Sequence, residues 1–406
     1  MERSILHCDM NHFYAAVERL YDPTLRGVPV AVCGEEAMRH GIVLAKSDEA
    51  KACGVKTGDA IWQAREKCPV LRVVPPHFDR YMKYSRLARE IYQEYTDLVE
   101  PFGADECWLD VTASRLAFGD GTRIGEEIRR RIRAELGLTI SVGVSFNKVF
   151  AKLGSDLKKP DALTRILPET FQSQVWPLPV ESMLWVGRKS AGVLHRYGFH
   201  TLGDLAAADD LFLKLQFGKN GAMLKAAARG EDRSPVLPCD YEFPMKSVGH
   251  GMTTPRDLTS PEEVWTLILS LSREVGRKMR ACGKVAQGVA IECKDRNFFQ
   301  KTLQKKLPFP TSSTKTLAKE AFLLFSRRYV FREPLRSVTV RALDLVPEEG
   351  TQLSLFTGKE VLREEKLDRV SDQVERRFGK DALTFARLLQ SPLPETHGYV
   401  PFHGAP

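Results

Sequence analysis

No uninterrupted apolar run in the 406 residues approaches the roughly 20 needed to cross a bilayer, so no transmembrane helix and no membrane partner are expected. The eight cysteines are scattered and none stands in a C-x-x-C pair, which argues against disulfides or a zinc site. Buried, reduced thiols in a cytosolic protein account for them. The start of the chain, Met1-Glu2-Arg3-Ser4, runs straight into an apolar strand without the basic-then-apolar pattern of a secretory leader, and a cytoplasmic location is expected. Glycine (29) and proline (23) follow no period that would point to a collagen-like or broadly disordered chain. What is present is 43% hydrophobic residues, ample for real cores, over a length that suggests two to four domains. The net charge of +8 favours a polyanionic partner.

The most informative stretch is Phe102-Gly103-Ala104-Asp105-Glu106-Cys107-Trp108-Leu109-Asp110-Val111. Apolar residues from Val99 to Phe102 and alternating ones from Cys107 to Val111 predict two strands meeting at a polar turn. Asp105 and Glu106 sit side by side where the strands join. Neighbouring carboxylates repel, and a fold that holds them together usually offsets them with cations. A solvated hairpin tip is the plainer reading of this segment alone. Asp9 tips the balance, because it ends the first apolar strand, Ser4 to Cys8, and precedes a helix from about His12. Three acids at strand ends make an oxygen-rich site for one or two magnesium ions.

Along the chain, Asn11 is a candidate helix cap. Phe13 and Val17 share one helix face and read as core anchors, whereas Tyr14 points elsewhere, toward a ligand held at Asp9. Strands are predicted at Val28–Cys33 and Gly41–Ala45, then short helices with Lys46, Lys51 and Lys56 interspersed. An amphipathic helix over 77–98 leads into the acidic hairpin, and a helix over 123–136 and a strand over 139–144 follow. This βα…ββ…αβ order, with acids on neighbouring strand ends, is that of a palm-type nucleotidyl-transfer domain. In such chemistry two metal ions activate the attacking hydroxyl and stabilise the leaving pyrophosphate. The helix beginning at Asn147 is stopped by Pro160, which leaves Lys159 at its exit, either complementing the helix dipole or binding a triphosphate.

From 179 to 230 the chain becomes small and helical. The turn Val186-Gly187-Arg188 opens a helix whose backbone amides suit a DNA phosphate, as in a helix-hairpin-helix element. A proline-bearing join at 233–240 marks a boundary. Beyond it, residues 245–345 hold 19 Lys/Arg against 9 Asp/Glu, a net charge larger than that of the whole chain. A basic α+β domain that follows a nucleic-acid backbone is expected there, with helices over 262–282 and 316–328 and strands over 288–294 and 338–345. After it comes Gln352-Leu353-Ser354-Leu355-Phe356, whose apolar pair suits a partner's pocket. An amphipathic helix over 366–378 and a frayed tail close the chain.

Taken together, these residues resemble a Y-family DNA polymerase of the bacterial DinB type, from about residue 3 to 356. The motifs D-M-N-H-F-Y-A-A-V-E, A-D-E-C-W-L-D-V-T, S-V-G-V-S-F-N-K-V-F-A-K and K-K-P stand in family order and spacing. The resemblance implies an α+β multidomain right-hand polymerase. Its parts would be a ferredoxin-like palm (1–18 and 70–165), small fingers (19–69), a helical thumb with a helix-hairpin-helix element (166–235) and an α+β little finger (243–346), followed by a clamp-binding peptide and tail (347–406). It further implies that Asp9, Asp105 and Glu106, with the Met10 carbonyl, hold two magnesium ions. Phe13, Tyr14, Lys51 and Lys159 would bind nucleotide, with Tyr14 as steric gate against a ribose 2′-hydroxyl. Primer-template DNA, dNTP and the bacterial sliding clamp are the implied partners of a monomer, with Gln352 to Phe356 holding the clamp. The fingers depart from the family pattern: Asp48 stands where many relatives have tyrosine, and Lys51 replaces an arginine. An aspartate there would repel a triphosphate, with Lys46 a candidate to compensate. Two other readings compete. One is a silent relative that only binds DNA and clamp, and the retained acids speak against it. The other is a palm-fold nucleotide cyclase, which needs neither the basic domain nor the clamp peptide.

Overall fold

The structure, a computed structural model, describes residues 3–36, 39, 41–349, 359–379 and 382–389. The chain divides into two compact units, residues 1–34 with 42–242 and residues 35–41 with 243–406. The clamp-binding peptide expected at 352–356 lies outside the described residues.

The first unit contains strands β1 (Ile5–Met10), β2 (Val30–Cys33), β3 (Val43–Lys46), β4 (Arg72–Val74), β5 (Val99–Pro101), β6 (Glu106–Asp110), β7 (Ile140–Ser145) and β8 (Leu163–Ile166). One sheet has the order β5-β6-β1-β7-β8, and a smaller one has the order β3-β2-β4. Strand β1 is central, antiparallel to both β6 and β7, and every residue of it is buried. Alternation along β1 divides its side chains between two layers. Leu6, Cys8 and Met10 join a core with Tyr92, Ile124 and Ile128, from the helices Phe78–Gln93 and Gly121–Arg131. Ile5, His7 and Asp9 face the other way, toward the helix Lys148–Leu157. That helix sits unusually close to the sheet. A Cβ on Gly143 of β7 would lie 1.9 Å from the Ala151 carbonyl oxygen and 2.5 Å from the Ser155 nitrogen, so only glycine permits this approach.

The helices Arg188–Arg196, Leu202–Ala207, Asp210–Phe217 and Lys219–Ala228 contribute Leu194, Leu205, Leu213 and Leu224 to a second core, which they share with Val149, Phe150 and Leu153 of the helix Lys148–Leu157 and Ile166 of β8. The segment that follows is fastened to the sheet. Val236 is buried beside Ile5 and Trp108, and the Leu237 N–H donates to Glu100 Oε2 at 2.9 Å. Lys148 Nζ holds both oxygens of Glu100, at 2.6 and 2.7 Å.

The second unit carries β9 (Ser247–Leu258), β10 (Lys284–Asp295), β11 (Gln300–Thr311) and β12 (Leu335–Pro347), antiparallel in the order β11-β10-β12-β9. The helices Pro261–Ala281 and Thr314–Arg328 pack Leu267, Leu271, Val275, Leu317 and Phe325 against the sheet. A further helix, Lys359–Phe378, starts seven residues before the expected one. It docks by charge: Arg280 Nε and Nη2 reach Asp372 at 2.6 and 2.9 Å, Arg273 pairs with Glu375, and Thr311 Oγ1 donates to Glu365 at 2.5 Å.

Candidate active site

Antiparallel register sets Asp9 on β1 directly opposite Glu106 on β6. Asp105 lies just before β6, and its carbonyl accepts from the Met10 N–H at 3.0 Å, which ties the acidic turn to the end of β1. The three acids from two distant stretches of sequence thus come together at one end of the sheet. Met10 itself is buried in the core and pairs with Ile140.

Two lysines meet these carboxylates. Lys152 Nζ stands 3.3 Å from Asp9 Oδ2, 3.0 Å from Glu106 Oε1 and 3.1 Å from Asp156. Lys159 Nζ stands 2.8 Å from the same Asp9 oxygen and 2.9 Å from Asp156. Lys152 is a site residue that the sequence reading did not single out. Its spacing from Asp156 and Lys159, at i, i+4 and i+7 beyond a predicted helix start, was a signal for it.

Burial and charge set each acid's behaviour. Burial pushes the Asp105 carboxyl up to about 7, and the neighbouring Asp9 and Glu106 charges push in the same direction. Asp9 is also raised, chiefly by burial, although Lys159 opposes the shift. For Glu106 burial is outweighed by His7 and Lys152, which hold it down at about 2. Lys152 is raised in spite of burial, because Glu106 and Asp9 favour its charged form.

The aromatic residues separate as well. Phe13 is 3% exposed and its ring belongs to the core. The half-buried Tyr14 ring stacks on Tyr81, with centroids 4.1 Å apart and an interplanar angle of 10°. The Tyr81 hydroxyl donates to buried Glu18 at 2.5 Å, and Glu18 also takes Arg80 at 2.9 Å and His77 at 3.0 Å. A rigid base therefore stands behind Tyr14.

Asn11 does not cap the helix Phe13–Tyr21. The cap is His12, in the left-handed region at φ 51°, with no side-chain bond to the helix. Asn11 instead donates to Ser141 Oγ at 2.9 Å and accepts from the Asp161 N–H at 2.8 Å, which fixes the turn after Lys159. His12 Nε2 lies 2.7 Å from Asp48 Oδ1, so the aspartate expected to repel a triphosphate has a partner of its own. Lys51 is exposed on the short helix Asp48–Ala52, and Lys46 Nζ donates to Thr57 at 3.2 Å. Gly187 is the N-cap of the helix Arg188–Arg196, with Val186 buried below it and Arg188 exposed.

Among the described residues no group of three His, Cys, Asp or Glu side chains converges as a metal cluster, and the cations standing at the carboxylates are lysines. The donor chemistry nonetheless fits a hard divalent ion. The side-chain atoms that Asp9, Asp105 and Glu106 offer are all carboxylate oxygens, the ligands such an ion takes.

Comparison with known proteins identifies the family. The model of the impB/mucB/samB family matches residues 8–156, and that of the family's C-terminal domain matches residues 245–355. The chain belongs to this family. It is similar to a protein named DNA polymerase IV from Acetivibrio thermocellus, at 48% identity over 96% of this chain and 98% of that one. It is also similar to DNA polymerase IV 1 of Bacillus subtilis, at 38% identity over 98% and 95%. A solved Y-family DNA polymerase chimera shares the fold with a TM-score of 0.75 and 23% identity, covering 85% of this chain and 99% of that one. Among the described residues no helix is long and apolar enough to cross a membrane.

Proposed function

We propose that this chain is a template-directed, low-fidelity translesion DNA polymerase that adds deoxynucleotides from dNTPs to a primer 3′-hydroxyl, with Asp9, Asp105 and Glu106 holding two magnesium ions. The observation that carries the reading is the register that sets Asp9 opposite Glu106, with Asp105 tied beside them, in a chain whose relatives are named DNA polymerase IV. Bound divalent ions would supply activation of the hydroxyl and charge for the leaving pyrophosphate. The chain's own residues hold and orient. Asp9 and Glu106 present oxygens from adjacent strands, with the Met10 carbonyl beside them. Lys159, now on Asp9, turns to the triphosphate, and Lys152 keeps the two strand-borne acids together. Lys51 adds charge from the fingers. The backbone at Val186-Gly187-Arg188 offers amides to a DNA phosphate, and the basic second unit supplies affinity that does not depend on sequence. Gln352-Leu353-Ser354-Leu355-Phe356 anchors the protein, as a monomer, on the sliding clamp. Burial of Leu355 and Phe356 returns roughly 1.5–3 kcal/mol each.

Asp105→Ala or Glu106→Ala should abolish primer extension in magnesium while leaving DNA affinity near wild type. Near-normal extension by either variant would overturn the assignment. Tyr14→Ala should admit ribonucleotides, because its ring, braced by Tyr81, is the proposed steric gate. An unchanged ratio of ribonucleotide to deoxynucleotide incorporation would make Tyr14 a packing residue only. Leu355→Ala with Phe356→Ala should remove stimulation by clamp and leave synthesis on bare primer unchanged.

A further inference from the structure

His7 stands two residues before Asp9 on β1, so both side chains share the layer beneath the helix Lys148–Leu157. Its ring is wholly buried and lies edge-on to Trp108, its partner across the strands, with centroids 5.3 Å apart. Nδ1 is 2.8 Å from Ser155 Oγ. Nε2 faces Glu106 Oε2 at 3.5 Å and has no other polar partner. A buried ring nitrogen left unpaired is costly, and Glu106 is the acceptor in its direction. The Ser155 hydroxyl can turn to the Lys152 carbonyl, 2.8 Å away, or to the ring, and Nε2 decides between them: a lone pair there would face the Glu106 carboxylate and an N–H is drawn to it, so the ring proton sits on Nε2 and leaves Nδ1 an acceptor. The Ser155 proton is therefore available to the ring.

We infer that Ser155 and His7 form a supporting relay for Glu106. The Ser155 hydroxyl donates to Nδ1, which leaves the ring proton on Nε2, directed at Glu106 Oε2. Lys152 takes Oε1 of the same carboxylate at 3.0 Å. Lys152 thus holds one oxygen, the Nε2–H at 3.5 Å steers the other by charge at longer range, and each oxygen keeps a lone pair for a ligand. His7 is a positioning residue: it touches neither substrate nor reacting atoms, and it fixes the direction in which Glu106 presents its oxygens. Partners of this kind, one step behind a ligating group, commonly govern metal affinity. The inference rests on the proposed role of Glu106 as a metal-holding carboxylate.

The test is manganese binding to the full-length protein without DNA, followed by the electron-spin signal of the free ion, together with the magnesium midpoint of primer extension. His7→Phe keeps the ring and its packing on Trp108 but removes the N–H. It should weaken manganese binding about tenfold and raise the magnesium midpoint to match, with KM for dNTP unchanged. His7→Gln, which returns an N–H at similar reach, should recover most of the loss. Glu106→Gln separates the two levels of the account. Weakened binding in Glu106→Gln with wild-type binding in His7→Phe overturns the relay alone, whereas wild-type binding in Glu106→Gln overturns the carboxylate reading. Should His7→Phe fail to fold, Ser155→Ala decides, since it adds no bulk. A shift of about threefold is expected there, and wild-type affinity would overturn the relay.

Discussion

In the first unit Asp9, Glu106, Lys152 and Lys159 meet within ion-pair distance at one buried end of a sheet, and each titrates away from its ordinary value. In the second unit charge is plentiful but dispersed, and part of it is already committed. Arg273 and Arg280 turn to the acidic face of the helix Lys359–Phe378, Lys305 pairs with Glu320, and Arg341 reaches Glu292 at 3.2 Å. A segment's net charge therefore overstates the cations left for a polyanion. A few acids held by register can also matter more than many on a surface.

The comparison predicts different sensitivities. Gly143→Ala should do most harm, because a methyl group there meets backbone of the Lys148–Leu157 helix rather than a yielding side chain. A loss of about 3 kcal/mol is expected, with most extension activity gone, as Lys152 leaves the acids. Denaturant unfolding and extension measured together would check it. Arg280→Ala is the counterpart in the second unit. It strands Asp368 and Asp372 beside Ser312 and should cost about 2 kcal/mol, somewhat less than a fully buried pair loses. Proteolysis should then cut within 359–378, while extension of a short primed template changes little.

Acidity gives a smaller effect. In metal-free protein the Asp105 carboxyl sits at about 7 against 3.8 when unfolded. Between those values the folded chain binds more protons, so stability falls as pH rises through that window. Asp105→Asn should therefore gain about 1–2 kcal/mol relative to wild type at pH 8 and nothing at pH 4. Glu106, held at about 2, works the opposite way, its contribution being lost as pH falls below its ordinary 4.5. Smallest of all, Lys301→Ala on β11 should lower the slope of log affinity against log salt by about 0.9, one phosphate contact. Tenfold or greater loss of DNA affinity from that single change would show a concentrated site rather than a dispersed one.

The carboxylates were legible because their spacing and strand ends are written locally. The central strands β1, β6, β7, β10 and β12 were legible for the same reason, being apolar or alternating. The strands that escaped notice are edges: β4, β8, β9 and β11. Pro255 in β9 and Pro308 and Pro310 in β11 are tolerated there because an edge strand has backbone groups that need no ladder partner, and the same prolines hide the strand from a pattern search. The start of the helix Lys359–Phe378 was missed because it docks by acids on arginines rather than by an apolar stripe. Neither the pairing of His12 with Asp48 nor the displacement of Asn11 from the cap could be read locally. Both depend on which residues a left-handed turn after β1 brings together.

The central claim is that the acids at the end of β1 and β6 carry the chemistry while affinity for DNA lies elsewhere. Single-turnover insertion of one deoxynucleotide, by protein saturated with primed template and started with magnesium, tests it without interference from binding. Wild-type protein should insert, and Glu106→Ala at the same DNA saturation should not, with equal DNA affinity for the two. Insertion by Glu106→Ala at a rate close to wild type, or its failure to bind DNA at all, would contradict the account.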